Sequence, residues 1–250
     1  MKDKLYDYIL TLGDNSMILG HRLSELCGHG PTLETDIALT NISLDLFGQV
    51  RNYFQYAAKV KGEALDEDKV AFLRYVTDYK NTLLVEQPNT DFAYVICRQF
   101  FFDAYHLPLL EQLMNSNDEQ IAAIAAKSVK EVRYHVRFSS QWMKRLAGGT
   151  EISRQKMQTA INDLWTYVDE LTNCSPLEQE MLDFGIGADL ETVKALQMQT
   201  IREVFAAVDL EVPTTKWHQS GGKKGIHSEH MGYILSQLQY MQRAYPNMEW

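Results

Sequence analysis

The sequence predicts an all-α protein. Segments whose apolar residues recur every three to four positions follow one another along the chain, and the strict alternation of a half-buried strand is missing. Several segments are longer than about 20 residues with short connections, and helices of that kind usually pack near-parallel or antiparallel in a bundle. The composition shows no shift that would mark a linker and no repeat of fixed period. We therefore expect a single helical domain over residues 1–250.

The first two predicted helices depend on their capping residues. Ser16 is a candidate N-cap for a short helix that ends near Gly28, because serine satisfies free helix N–H groups and glycine ends helices. Thr32 is the candidate N-cap of a long helix that runs to about Val60.

The later helices are separated by Pro88, by Gly148 with Gly149, and by a short turn after Pro176. A loop is predicted over residues 209–225, and Pro246 stops the last helix. The predicted helices cover residues 67–84, 91–114, 118–146, 153–171, 190–208 and 227–244.

The composition is that of a globular protein, with 45% hydrophobic and 23% charged residues. A net charge of −9 argues against a broad nucleic-acid or membrane surface. No apolar run approaches the roughly 18–20 residues of a membrane span, and the N-terminal segment does not have the pattern of a secretory signal. Cys27, Cys97 and Cys174 form no zinc or redox motif and are expected as core residues in a reducing cytoplasm.

A helical bundle of this size can hold a carboxylate-bridged di-iron centre, which requires about six ligands, including two Glu-x-x-His pairs. Asp103 and His106 have the required three-residue spacing, and Asp103 is predicted to point inward. Asp103 is either a metal ligand or, the interpretation we favour, a buried acid bonded to His106 or to a basic group.

The rest of the ligand set is incomplete. Glu131 and His135 are four residues apart, and the position three residues before His135 is Val132, which cannot bind a metal. On the long helix, Asp45 is a candidate carboxylate, although it belongs to a polar stripe that solvent or a helix–helix contact explains equally well. A further helix offers Arg74, a permanent cation that would neutralise carboxylates instead of binding iron. The candidates for a vestigial site are Asp45, Asp103, His106, Glu131 and His135.

The segment GGKKGIHSEHMG, residues 221–232, allows three interpretations. A metal site is the weakest, because Glu229 projects to a different helix face from His227 and His230. Lys223 and Lys224, with the glycines and the following helix N-terminus, could contact a phosphate of coenzyme A. We favour the third, in which the segment docks onto a partner subunit or folds back on its own bundle.

Two apolar segments bear on partners. In RQFFFDAYH, Phe100 is expected in the core, whereas Phe101 and Phe102 point elsewhere and could meet a second subunit. In the last helix an apolar stripe is expected mainly in the core; it comprises Met231, Ile234, Leu235, Leu238 and Met241.

Several long blocks, in order along essentially the whole chain, resemble the C subunits of bacterial phenylacetyl-CoA epoxidases. These blocks are LGDNSMILGHRLSELCGHGPTLETDIALTNISLDLFGQVRNY, LLVEQPNTDFAYVICRQFFFDAYH, AAKSVKEVRYHVRF, QKMQTAINDLW and GGKKGIHSEHMGYILSQLQYMQR. The resemblance implies a ferritin-like fold and a structural subunit that packs against the catalytic A subunit. It implies that the di-iron centre belongs to the A subunit, and that this chain is a paralogue without the complete ligand set.

The resemblance also implies a small bridging B subunit and a reductase that uses NADPH, FAD and an iron–sulfur cluster, with phenylacetyl-CoA as the substrate of the complex. We therefore expect no cofactor on this chain and no catalytic activity of the chain alone. Two alternatives stay open: a di-iron oxygenase with a non-standard ligand set, and an acyl-CoA binding module. Homodimer contacts are a further expectation to test.

Overall fold

The computed structural model describes residues 1–62, 65–246 and 248, which form helices and no strand. The predicted fold class, an all-α ferritin-like helical bundle, is confirmed. The α-helices are α1 (Lys2–Ser24), α2 (Leu33–Lys61), α3 (Glu67–Phe72), α4 (Phe92–Leu113), α5 (Glu119–Ala147), α6 (Glu151–Thr172), α7 (Pro176–Asp183), α8 (Leu190–Ala206), α9 (Glu229–Leu238) and α10 (Tyr240–Ala244). Short 3-10 helices cover Val76–Asp78, Leu83–Glu86 and Gly222–Lys224.

The helices form two compact units. The first unit comprises Met1–Glu86 with Gly221–Trp250, and its main contact is between α1 and α2. The second unit comprises Gln87–Ser220, in which α4 packs against α5, α6 and α8. The single-domain organisation expected from the sequence stays a prediction. None of the helices in the described part of the chain is long and apolar enough to cross a membrane.

The first helix is much longer than predicted, and Ser16 is a buried residue in its middle instead of its N-cap. Of the residues before Ser16, Gly13 packs against α2, whereas Asp14 and Asn15 accept hydrogen bonds from the segment after α3. A Cβ atom at Gly13 would lie 2.6 Å from Phe54 Cε1, so the glycine allows α2 to approach closely. Asp14 is paired with Arg74, so an apparent helix breaker is a satisfied buried ion.

The long second helix was predicted correctly. The hydroxyl of Thr32 accepts a hydrogen bond from the backbone N–H of Thr35 at 3.3 Å, which satisfies one of the free N–H groups at the start of α2. The helix ends at Gly62, whose φ of 75° is readily adopted only by glycine.

The predicted helix over residues 67–84 is wrong, because only its first part forms α3. Side chains of α1 take backbone donors that a continuous helix would need. The backbone N–H of Lys80 donates to Asp14 Oδ2 at 2.8 Å, and that of Thr82 donates to Asn15 Oδ1 at 2.8 Å. Tertiary hydrogen bonds therefore override the local helical pattern.

The predicted helices of the second unit are confirmed, with their ends shifted by at most two residues. Asp91 and Asp118 cap α4 and α5 by accepting backbone N–H groups. The turn predicted after Pro176 is a short helix, α7, because Ser175 and Glu178 form a capping box and Pro176 occupies the first helical position.

The prediction for the phenylalanine cluster is wrong for two of its three residues. Phe100, Phe101 and Phe102 are all buried. Phe101 packs edge-on against Trp165, with ring centroids 5.8 Å apart, so it belongs to the contact between α4 and α6. Phe102 lies 4.8 Å from the ring of His106.

Two smaller predictions are partly wrong. Cys97 is buried as expected, but Cys27 and Cys174 are exposed. The predicted last helix is divided into α9 and α10. Its apolar stripe begins in the core, with Met231, Ile234 and Leu235 buried, and ends with Met241 exposed.

The ion pair between Asp14 and Arg74 generates a stability prediction. The two guanidinium nitrogens donate to the two carboxylate oxygens at 2.5 and 2.9 Å, and the Asp14 side chain is fully buried. Arg74→Met leaves an uncompensated buried charge, so we expect the free energy of unfolding to fall by about 3–5 kcal/mol. Urea unfolding at neutral pH measures this change. The double variant Asp14→Asn with Arg74→Met should be more stable than Arg74→Met alone; an equal loss in both would contradict the ion-pair explanation.

Candidate functional site

A buried polar cluster in the second unit contains three of the sequence-predicted candidates. Asp103 on α4 is fully buried, as predicted, but its partners are neutral side chains. The side-chain amide of Gln99 donates to Oδ1 at 2.7 Å, and the hydroxyl of Ser139 on α5 donates to Oδ2 at 2.7 Å. Both carboxylate oxygens therefore accept hydrogen bonds inside the protein, and the expected bond to His106 or a basic group is not what the structure shows.

The electrostatics of this cluster follow from burial. Burial raises the pKa of Asp103 to about 6, although the charge of His135 and the hydrogen bonds from Ser139 and Gln99 act in the opposite direction. Burial also lowers the pKa of His106 to about 3, with a further contribution from the charge of His135. His106 is therefore a neutral ring at physiological pH, and its Nδ1 atom has no hydrogen-bond partner among the described residues.

The other two candidates lie elsewhere. Glu131 is half-buried on α5, one turn before His135, and His135 is fully buried. Asp45 is half-buried on α2 in the first unit. The structure thus brings together Asp103, His106 and His135, whereas Asp45 belongs to the other unit.

The donors present do not fit a di-iron centre. In the described residues, no group of three or more His, Cys, Asp or Glu side chains has an arrangement that could hold a metal ion. Val132, at the position where the second Glu-x-x-His pair would need its acid, is fully buried. Asp103 is already occupied by an amide and a hydroxyl donor. A di-iron centre requires about six ligands. The hydrogen bond from Ser139 to Asp103 instead links α5 to α4. That this chain binds no metal stays a prediction.

The glycines of the GGKKG segment allow the chain to approach the segment after α3. A Cβ atom at Gly222 would lie 2.1 Å from the backbone oxygen of Asn81, and one at Gly225 would lie 2.2 Å from that of Thr77. Gly225 also has a φ of 77°, in the left-handed region. Within the first unit, the segment therefore folds back on its own bundle, which is one part of the interpretation that the sequence favoured.

A buried carboxylate that the sequence analysis missed holds this segment in place. Glu86 is fully buried and accepts four hydrogen bonds. Asn81 Nδ2 and His227 Nδ1 donate to Oε1 at 2.9 and 2.6 Å. The backbone N–H and the hydroxyl of Ser228 donate to Oε2 at 2.8 and 2.6 Å. His227 Nε2 also lies 3.1 Å from the backbone oxygen of Tyr79.

Both ring nitrogens of His227 have polar neighbours in the first unit. One ring nitrogen faces a carboxylate and the other faces a carbonyl, and both of these groups only accept hydrogen bonds. Glu86 Oε1 at 2.6 Å and the backbone oxygen of Tyr79 at 3.1 Å therefore hold the ring between them. His227 therefore helps to anchor the segment, with both ring nitrogens engaged inside the first unit. The two lysines of the segment differ in exposure: Lys223 is half-buried and Lys224 is exposed.

The raised pKa of Asp103 predicts how a substitution depends on pH. An acid whose folded-state pKa is raised contributes stability below its unfolded pKa of 3.8, and this contribution disappears as the pH rises through about 6. Asp103→Asn has no charge to bury. We therefore expect the stability of the variant, relative to the wild type, to increase by about 1 kcal/mol between pH 5 and pH 8. Urea unfolding of both proteins at each pH measures it, and a constant difference would show that the carboxylate is solvated.

The close approach of Gly222 predicts a second substitution effect. Gly222→Ala places a methyl group against the oxygen of Asn81, so we expect a loss of about 1–3 kcal/mol in the free energy of unfolding. Gly232→Ala is the matched control, because a Cβ atom there has open space and alanine favours the helix by about 1 kcal/mol. Thermal unfolding should therefore shift in opposite directions for the two variants. Equal shifts would mean that the segment is not docked as described.

Comparisons with known proteins identify the family of the chain. Residues 1–250 match the model of a family described as phenylacetic acid catabolic protein. The chain is similar to the C subunit of the 1,2-phenylacetyl-CoA epoxidase of Escherichia coli (strain K12), with 48% identity over 251 residues. This match covers 99% of the chain and 100% of the relative, and it confirms the resemblance predicted from the sequence. A full-length family match and a full-length relative at this identity lead to one conclusion: the chain belongs to the phenylacetic acid catabolic protein family.

Proposed function

We propose that this chain is the non-catalytic structural subunit of a multicomponent phenylacetyl-CoA epoxidase in phenylacetate catabolism. The observation that carries the proposal is the 48% identity, over the whole length of both chains, to a protein named as the C subunit of that enzyme. A protein of this kind packs against the di-iron catalytic A subunit and supports its active conformation.

The buried cluster supports a structural and not a catalytic role. Its members are closed off from solvent: Asp103, His135 and Ser139 have no exposed surface and His106 is 3% exposed. No substrate can reach the carboxylate without a rearrangement of α4 and α5. The hydrogen bonds from Gln99 and Ser139 satisfy the acid, which is what a buried polar group in a helix contact requires.

The cofactors of the complex belong to its other components in this proposal. The di-iron centre is in the catalytic A subunit, and NADPH, FAD and the iron–sulfur cluster are in the reductase. A small B subunit bridges the assembly, phenylacetyl-CoA is the substrate, and the complex works in the cytoplasm. The name of the relative as a subunit supports the existence of partner chains.

Lys223 and Lys224 are proposed to contact the partner subunit. The glycines around them allow close approach to Asn81 and Thr77, which supports packing of the segment over a phosphate cradle. Lys224 is exposed and supplies a positive charge suited to specific pairing across an interface. Contact with a phosphate of coenzyme A is the second candidate role for these lysines.

Metal content and turnover test the proposed function. We expect the purified chain to contain no stoichiometric iron, and its complex with the catalytic subunit to contain the iron of the partner's site alone. Elemental analysis of both preparations measures this. About two irons per molecule of the isolated chain would instead make it a di-iron protein in its own right.

A variant of this chain separates structural from catalytic participation. In the reconstituted complex, Asp103→Asn should leave kcat for phenylacetyl-CoA almost unchanged. Removal of a group that stabilises a transition state costs about a hundredfold or more in kcat. A loss of that size, with assembly and folding intact, would contradict the structural role.

A further inference from the structure

The outer face of α5 is basic in a chain that is acidic overall. The helix carries six basic and two acidic side chains, whereas the whole chain has a net charge of −9. Five of the basic side chains are exposed, form no ion pair with a carboxylate in the described part of the chain, and define a basic stripe: Lys127, Lys130, Arg137, Lys144 and Arg145. At about 100° per residue, they lie within about 100° of one another around the helix axis, over about 27 Å of its length. Like charges at this spacing repel one another, so the stripe does not stabilise the isolated helix.

The basic side chain at the edge of the stripe is, in contrast, balanced within the chain. Arg133 Nη2 lies 3.0 Å from Oε1 of Glu111 on α4. Between residues 120 and 147 the sequence contains one acid, Glu131, and its side chain is half-buried. The described residues therefore supply a carboxylate partner beside the stripe and none along it.

Three aromatic rings run along the other side of the basic stripe. Tyr134, Phe138 and Trp142 follow one another at four-residue spacing, and successive ring centroids are 6.1 and 6.5 Å apart. Phe92 of α4 packs edge-on against Trp142 at 5.0 Å. Tyr134 is 38% exposed, and Phe138 and Trp142 are half-buried. The rings are thus held in position by the fold, which lowers the entropic cost of using them in a contact.

Two cations of the stripe lie over these rings. The guanidinium carbon of Arg137 is 5.6 Å from the centre of the Tyr134 ring. That of Arg145 is 5.3 Å from the centre of the Trp142 ring. Stacking uses the face of a guanidinium group, so the N–H donors in its plane stay available to a carboxylate. Tyrosine, tryptophan and arginine are also the residues that contribute most of the binding energy at protein interfaces.

A protein partner fits this face better than a nucleic acid does. Bases bind by stacking on open ring faces, whereas guanidinium groups lie over two of these three rings. The helix contributes +4 to the charge, so the rest of the chain carries −13, and a long polyanion would meet repulsion beyond the stripe. An acidic protein surface is limited in extent and presents apolar side chains between its carboxylates. Charge complementarity therefore favours an acidic protein as the occupant.

We propose that the outer face of α5 is a docking surface for an acidic protein partner. Carboxylates of the partner pair with Lys130, Arg137 and Lys144, and an apolar side chain of the partner packs on the rings of Tyr134 and Trp142. The surface belongs to the second unit, whereas the GGKKG segment belongs to the first. The inference rests on the charges and rings of α5 and does not depend on the proposed function.

Fluorescence anisotropy with a synthetic peptide tests the proposal on the full-length chain. The probe is a labelled helical peptide with a leucine stripe flanked on both sides by glutamates, and its control has the same composition in scrambled order. We expect the chain to bind the probe, more weakly as salt rises, and to bind the scrambled peptide about tenfold more weakly or less. An unbound probe, or equal binding of both peptides, would overturn the proposal.

Charge-reversal variants locate the contact. Arg137→Glu combined with Lys144→Glu should weaken binding of the probe about tenfold or more, because carboxylates would then face carboxylates. The thermal midpoint of this variant should not fall, because the change relieves repulsion within the stripe. Lys59→Glu combined with Lys216→Glu makes the same change of charge at exposed positions outside α5 and should leave binding nearly unchanged. Equal weakening by the two double variants would mean that only the net charge matters, which contradicts a defined surface.

Tyr134→Ala and an oligonucleotide complete the test. Removal of the Tyr134 ring should weaken binding of the probe and leave binding of the scrambled peptide unchanged, because only the ordered leucine stripe reaches the rings. A loss that is the same for both peptides would contradict the role of the rings. Single-stranded oligodeoxythymidine should bind more weakly than the probe at physiological salt. Tighter binding that is lost in the double variant of α5 would assign the face to nucleic acid and overturn the proposal.

Discussion

The structure depends on how it satisfies carboxylates that are removed from water. Asp14, Glu86 and Asp103 each have no exposed surface. An unpaired buried carboxylate is too costly for a folded protein of ordinary stability. Each acid therefore fixes the chain segments that supply its partners, and the three acids obtain these partners in different ways.

The partners of the three acids explain most of the irregular structure near them. Asp14 binds a guanidinium group and a backbone N–H, so the chain after α3 follows α1 instead of continuing as a helix. Glu86 binds the ring of His227 and both donors of Ser228, so the start of α9 is fixed. Asp103 binds only neutral donors and keeps a raised pKa. The first two acids organise loops, whereas the third joins two helices.

The sequence is sufficient to predict the regular helices, because their signals are local. Thr32, Asp91 and Asp118 cap helices where the pattern places them. The start of α1 was missed because Gly13 and Asp14 resemble helix breakers until Phe54 and Arg74 are known to pack against them. Such long-range partners have no signature in a single sequence.

At the candidate site, too, local signals were predictable from the sequence and long-range partners were not. The inward direction of Asp103 followed from helical periodicity, but its partners Gln99 and Ser139 did not, because one of them comes from another helix. Glu86 was missed, although a lone acid after the apolar run Leu83–Val85 is a usable signal for a buried carboxylate. The glycines of the GGKKG segment could indicate a close approach, but not the surface approached.

The anchoring of the C-terminal segment by Glu86 changes what a truncation of this protein means. A chain that ended at Ser220 would lack His227 and Ser228, and Glu86 would lose three of the four donors described for its carboxylate. Deletion of the chain end would thus act as an electrostatic mutation in the interior of the first unit, far from the cut in sequence. The C-terminal residues thus supply hydrogen-bond donors to an acid of the N-terminal part of the chain, and a fragment defined by sequence order alone would separate that acid from its donors.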